Sequence, residues 1–204
     1  DVVMASGLDA DDYVEVVAFS TFSTSDTVSA ASGGTFSGAV TFSSNVSVDG
    51  GTIKLDGNYP TGTNNLAFGD GALDASLTGA ANTAIGSYSL TNNTSGASNT
   101  ALGFASLGDT TTGSYNTGIG TSALENNTAA SNNTAVGYQA SYNTNTGSFN
   151  ETLGYRALHT NTTGSYNVGI GGDALHNNTT ASYNVGMGYR ALFANTTGAN
   201  NTGL

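Results

Sequence analysis

From Asn65 onward, apolar residues come in short stubs of two or three, separated by Gly and by Asn-Thr phrases. A helix would show a 3.6-residue apolar period over ten or more residues, and no stub is long enough to carry one. The arrangement recurs: Asn stands at 65, 82, 99, 116, 133, 150, 167, 184 and 201, every interval being 17 residues. The unit reads N-T-A-aliphatic-G-x-x-A-L-x-x-N-T-T-G-S-Y, and eight full copies and the start of a ninth run to Leu204. A unit this short has no room for two packed helices. The pattern predicts an all-β chain, a parallel β-solenoid with one coil per unit, each coil holding two short strands and two corners. Like positions then stack about 4.8 Å apart, so eight coils make a rod section of roughly 40 Å.

Comparing copies shows what each stacked column accepts. The fifth position is Gly throughout (Gly69, Gly86, Gly103, Gly120, Gly137, Gly154, Gly171, Gly188), which implies positive φ or a close backbone approach. The Gly of the second corner is replaced by Ala130 and Ala181, so smallness matters there more than φ. The fourth position is always large and apolar, from Phe68 to Met187. The ninth is Leu (Leu90, Leu107, Leu124, Leu158 among them) except at Ser141. These two columns are the expected core. The leading Asn column (Asn82, Asn99, Asn116, Asn133) is expected to form amide ladders from copy to copy. Two aliphatics per coil bury little against the entropy of ordering a whole coil, so chains are expected to pack side by side. The alanine columns, Ala84, Ala101 and Ala135 on one strand and Ala123, Ala140, Ala157, Ala174 and Ala191 on the other, are the expected contact face.

Ahead of the repeat, residues 1–22 read as a hairpin, with V-V-M and Y-V-E-V-V-A-F as its strands. Residues 23–34 are a small-residue linker, and 35–64 alternate as strands, with an Asp49-Gly50-Gly51 turn. Those strands are too sparse for a core of their own and make sense intertwined between chains, leading into the solenoid at 65–204. The chain opens inside an apolar phrase and closes partway through a repeat, which predicts a piece of a longer polypeptide.

Composition narrows the function. Only 8% of residues are charged and the net charge is −11, with Lys54, Arg156 and Arg190 the sole cationic side chains. A nucleic-acid groove needs clustered Lys or Arg, so no such partner is expected. Anionic membranes are disfavoured likewise, and no apolar run approaches a membrane span. With no cysteine, disulfides are excluded.

Candidate chemistry is thin. His159 and His176 fall at the tenth position of successive coils, where a metal site is conceivable. The column also holds Asp74, Thr91, Gly108, Glu125, Tyr142 and Phe193, a tolerance expected of an exposed rim. Asp9, Asp11 and Asp12 lack the spacing of a calcium loop and read as a solvated turn. Tyr138, Tyr155 and Tyr189 with Phe104 form one aromatic column, and Tyr115, Phe149, Tyr166 and Tyr183 another. Either column could stack on sugars or cover a seam between chains, and the seam is the favoured reading. Asn93-Thr94-Ser95 matches a glycosylation acceptor but follows from the repeat. No Ser-His-Asp set, carboxylate pair or phosphate loop is visible, so neither enzyme activity nor a cofactor is expected.

The N-T-A-aliphatic-G units with A-L and N-T-T-G resemble the repeats of bacteriophage tail fibres, especially those of marine phages and cyanophages. They are also similar to the β-roll heads of trimeric autotransporter adhesins, whose coils are shorter. The opening D-V-V-M-A-S-G-L-D-A-D-D-Y-V-E-V-V-A-F, within residues 1–22, resembles the end of a small β domain common in such phage fibres, and G-G-T-F-S-G-A-V-T-F with V-D-G-G-T-I-K-L-D-G-N-Y-P resembles their linker strands. The resemblance implies a homotrimer and an extracellular, virion-borne fibre. Its partners would be other tail proteins on the N-terminal side and a host receptor reached through a part not in this chain. The alternatives are the shaft or head of a bacterial surface adhesin and an ice-binding solenoid.

Overall fold

A computed structural model describes residues 62–75 and 78–204. The hairpin expected at 1–22, the linker at 23–34, nearly all of the strand segment 35–64 and the aspartates Asp9, Asp11 and Asp12 lie outside the described residues.

The repeat folds as a parallel β-solenoid. Nine short strands, β1 (Leu66–Phe68), β2 (Thr83–Ile85), β3 (Thr100–Leu102), β4 (Thr117–Ile119), β5 (Thr134–Val136), β6 (Glu151–Leu153), β7 (Val168–Ile170), β8 (Val185–Met187) and β9 (Thr202–Gly203), form one sheet in sequence order. Every pairing is parallel and shifts by one repeat, as in Thr83↔Thr100, Ala84↔Ala101 and Ile85↔Leu102.

Each coil has one strand, not two. The Ala-Leu stub is a turn, in which the ninth-position leucines sit at positive φ, as in Leu90 (49°), Leu107 (53°) and Leu124 (54°). The seventh and seventeenth positions share that conformation, as in Gln139 (52°) and Tyr166 (59°). Left-handed backbone in L residues costs energy, and inter-coil hydrogen bonds that continue through the corners offset it. Leu90 donates its N–H to the Ser106 carbonyl (3.1 Å), Tyr88 to Asp70 (2.8 Å) and Ser98 to Ala80 (2.9 Å).

The strand orientation reverses one expectation. In β2 to β8 the central residue points inward and the fourth-position aliphatic points out. Ala84, Ala101 and Ala135 are completely buried, whereas Phe68, Leu102 and Leu153 are 66%, 44% and 51% exposed. The ninth-position leucines fill the core, and the alanine columns line it and offer no external face. The reason is steric. A three-residue strand has one inward position, and a coil of this size already encloses a leucine and two buried amides, leaving room there only for Ala, Gly or Thr.

Buried asparagines hold the corners. Asn99 Oδ1 accepts from the Asn116 backbone N–H (2.9 Å) and from Asn116 Nδ2 (3.1 Å), while Asn99 Nδ2 donates to the Gly113 carbonyl (2.9 Å). A second amide at the twelfth position closes the other side of the same corner: Asn93 Oδ1 accepts from Gly96 N–H and its Nδ2 donates to the Gly96 carbonyl, both at 2.9 Å. Gly120 shows why the fifth position excludes a side chain: φ is +125°, and a Cβ would stand 2.6 Å from the Gly137 carbonyl oxygen. The second-corner glycines have no positive φ, and Ala130 and Ala181 are accepted there.

Candidate functional site

Among the described residues the candidate sites are the outward columns of the solenoid. The first is the outer face of the sheet. Phe68, Ile85, Leu102, Ile119, Val136, Leu153, Ile170 and Met187 follow one another coil by coil as an unbroken apolar ridge, with Ile119, Val136 and Ile170 partly buried and the others exposed. Beside it on the same face, the second position of the coil, which is the first residue of each strand, carries Thr in β2 to β5, Glu151 in β6 and Val in β7 and β8. Glu151 is thus the sole charge on the outer face of these strands.

The aromatic columns form ladders where consecutive coils both carry rings. Phe149, Tyr166 and Tyr183 stack at 5.0 and 5.1 Å with their planes parallel to within 1°. Tyr115 is cut off from them by Asn132. Tyr138 and Tyr155 stack at 5.5 Å, but Gly172 separates them from Tyr189, and Phe104 instead meets Tyr88 edge-on at 5.9 Å. A sugar stacks on a ring face, and within a ladder those faces are turned to one another. What the ladders offer outward is ring edges and phenol hydroxyls.

The tenth-position column differs from the rim expected of it. Tyr142, His159, His176 and Phe193 form a continuous four-ring stack with centroids 5.3, 5.0 and 5.2 Å apart. His176 is only 9% exposed. Alongside, the seventh position carries Arg156, Asp173 and Arg190, the last lying 4.2 Å from the Phe193 ring centroid. Burial, then the charge of Arg156 and the neighbouring His176, lower the His159 pKa to about 4 against a weaker opposing pull from Asp173. Among the described residues no three His, Cys, Asp or Glu side chains converge as they would to hold a metal ion. Asn93, of the glycosylation triplet, is fully buried and hydrogen-bonded, so it is no acceptor in the folded coil.

Comparison with known proteins finds no family model, no curated protein and no solved structure that matches the chain. Function must be read from the columns themselves.

The named repeat residues divide cleanly. Asn82, Asn99, Asn116 and Asn133 are buried in the amide ladder, and Leu90, Leu107, Leu124 and Leu158 in the core. Gly86, Gly103, Gly120 and Gly137 make the close coil-to-coil approach. Tyr138, Tyr155, Tyr189, Tyr166 and Tyr183 are surface residues. Two features escaped sequence reasoning: the ridge, because alternation alone does not say which side of a strand is inside, and the extent of the ring stack. The second had a signal, since four consecutive copies carry a ring at the tenth position.

Proposed function

We propose that this chain is a structural segment of a viral tail fibre, a homotrimer that spaces and presents a distal host-receptor-binding tip, outside the cell and with no enzymatic role. The observation that carries the proposal is the apolar ridge on the outer sheet face. Eight large side chains, Ile119, Val136 and Ile170 partly buried and the others exposed, leave on the order of 400 Å² of apolar surface in one line, at the upper end of what monomers leave bare. The partner that fits such a ridge has the same pitch, and a second copy has it by construction. Copies related by rotation about an axis parallel to the rod keep every coil at equal height, so each aliphatic meets its own equivalents. The near-absence of charge on this face permits that approach despite a net charge of −11 per chain. The seam therefore belongs on the aliphatic column and not on the alanines, which the coil keeps for itself. The number three, and the virion over the bacterial surface, rest on the resemblance of the repeat and its flanks to phage fibres.

Sedimentation equilibrium of the full chain, with Leu102→Asp/Ile119→Asp as the comparison, tests the assembly. Wild type should sediment as a trimer and the variant as smaller species; a wild-type monomer that stays folded at micromolar concentration would overturn it. Mass spectrometry of purified particles tests the virion assignment, and a measurable thermal hysteresis would favour the ice-binding alternative.

A further inference from the structure

The two histidines in the tenth-position stack are the only histidines in the chain. Each has a buried ring nitrogen without a hydrogen-bond partner, Nδ1 in His159 and Nε2 in His176. His176 Nδ1 lies 2.9 Å from Asn177 Oδ1, an acceptor, so this nitrogen carries the proton and the lone pair sits on the buried Nε2. Protonating His159 places positive charge on a ring whose buried Nδ1 has no hydrogen-bond partner. It also places that charge 5.0 Å from a second imidazole and beside Arg156. The charged and titratable groups facing the pair are Arg156 and Asp173 from the adjoining column and Tyr142 within the stack. Beyond Phe193, which closes it, lies Arg190. Asp173 is the one carboxylate among them, and its Oδ1 is itself buried without a partner.

We propose that the His159–His176 pair is an acid-sensitive hinge: protonation of the stack loosens the coils from 142 to 193 while the coils from 82 to 130 stay formed. The sign follows from the environment. A ring that resists its proton when folded lets the unfolded chain bind more protons, so stability falls with falling pH. For His159 the loss begins as pH drops through the ordinary value of 6.5 and is complete below about 4. The inference does not rest on the trimer or the virion, since the stack lies within one chain.

Two measurements on the full chain test it. With only two imidazoles to follow, an NMR pH titration reads each directly; His159 should stay neutral in the folded chain below pH 5, and titration near 6.5 would overturn the proposal. Hydrogen exchange compares the two sections of the rod in one sample between pH 7 and 4.5. The section from 142 to 193 should lose at least about tenfold more protection than the section from 82 to 130, and uniform loss would overturn the hinge. The double variant His159→Phe/His176→Phe keeps the stack, since Phe193 already occupies this column, and should abolish the difference. Should the double variant fold poorly, His159→Gln, which keeps a neutral polar side chain but takes up no proton, should remove most of the difference. Asp173→Asn separates the remaining cause: persistence of the acid response there supports the histidines, and its disappearance assigns the response to the carboxylate instead.

Discussion

Ser141 is the one exception in the leucine column, and the structure shows what accommodates it. Its hydroxyl lies 3.0 Å from the Thr152 hydroxyl, and Thr152 stands in the next coil where every other copy has Ala or Gly. The larger inward residue returns part of the missing leucine's volume and partners the new polar group, which alone would be a buried orphan. Ser141→Leu/Thr152→Ala should therefore melt at or above wild type, while Ser141→Leu alone overpacks against Thr152 and melts lower. Thermal melts of the cycle should give a coupling above about 1 kcal/mol, and additive effects would refute the pairing. A simpler gap lies at Thr110 and Thr144, whose buried hydroxyls have no partner where other coils place the corner amide. Thr110→Asn should stabilise by about 1 kcal/mol, read as a rise in the urea midpoint. The opposite extreme is Gly120→Val, a β-branched residue at φ +125° facing a carbonyl at 2.6 Å. It should cost about 4 kcal/mol or prevent folding, whereas His159→Ala at pH 7.5 loses a ring stack worth about 1 kcal/mol.

At the scale of the coil, sequence and structure part in an instructive way. Period, register and the glycine and asparagine columns were legible because a strict repeat forces like residues to meet like, and each such residue has one physical use. Two things were not legible. An outer ridge and an inner core both read as a column of large aliphatics, and only the volume inside the coil decides that leucine goes in while Ile85 and Leu102 go out. The second stub read as a strand, yet its backbone alternates into the left-handed region. A trace of this was present: the seventh, ninth and seventeenth positions hold side chains of every size but never Val, Ile or Thr, in a chain otherwise crowded with Thr. Absence of β-branching is what positive φ demands. The inside–outside assignment can be checked by paired truncations. Leu124→Ala opens a cavity in every coil contact it makes and should cost about 3–5 kcal/mol of chain stability. Leu102→Ala should leave isolated coils nearly as stable but weaken association between chains, measured as a higher protein concentration for half-assembly. Equal effects on both readouts would mean that the ridge is not a surface.

The whole rod is the coil repeated, and that gives a test of the architecture itself. Each strand pairs only with the strands one repeat before and after it, so stability is close to a sum of coils and nearest-neighbour contacts. Deleting residues 99–115 joins Ser98 to Asn116 in the phase the chain already uses. The coil beginning at Asn82 then stacks on the coil beginning at Asn116. Asn82 Oδ1 receives the Asn116 amides in place of those of Asn99, and Ser89 meets Gly118 much as Ser106 now does. Ile85 and Ile119 become neighbours on the ridge, so the outer face stays continuous. The result should be a folded rod shorter by about 4.8 Å that associates as wild type does. Deleting only residues 99–107 removes β3 and the core leucine but keeps the corner. β2 then keeps β1 but loses its partner on the other side, Asn82 loses the donors its Oδ1 accepts from, and the ridge has a break where Leu102 stood. Buried backbone groups lose their bonds with nothing to replace them. Circular dichroism melts and electron microscopy of the two deletions decide the matter. The shorter deletion should melt far lower than the longer one, and equal tolerance of both would mean that the 17-residue coil is not the unit from which the rod is built.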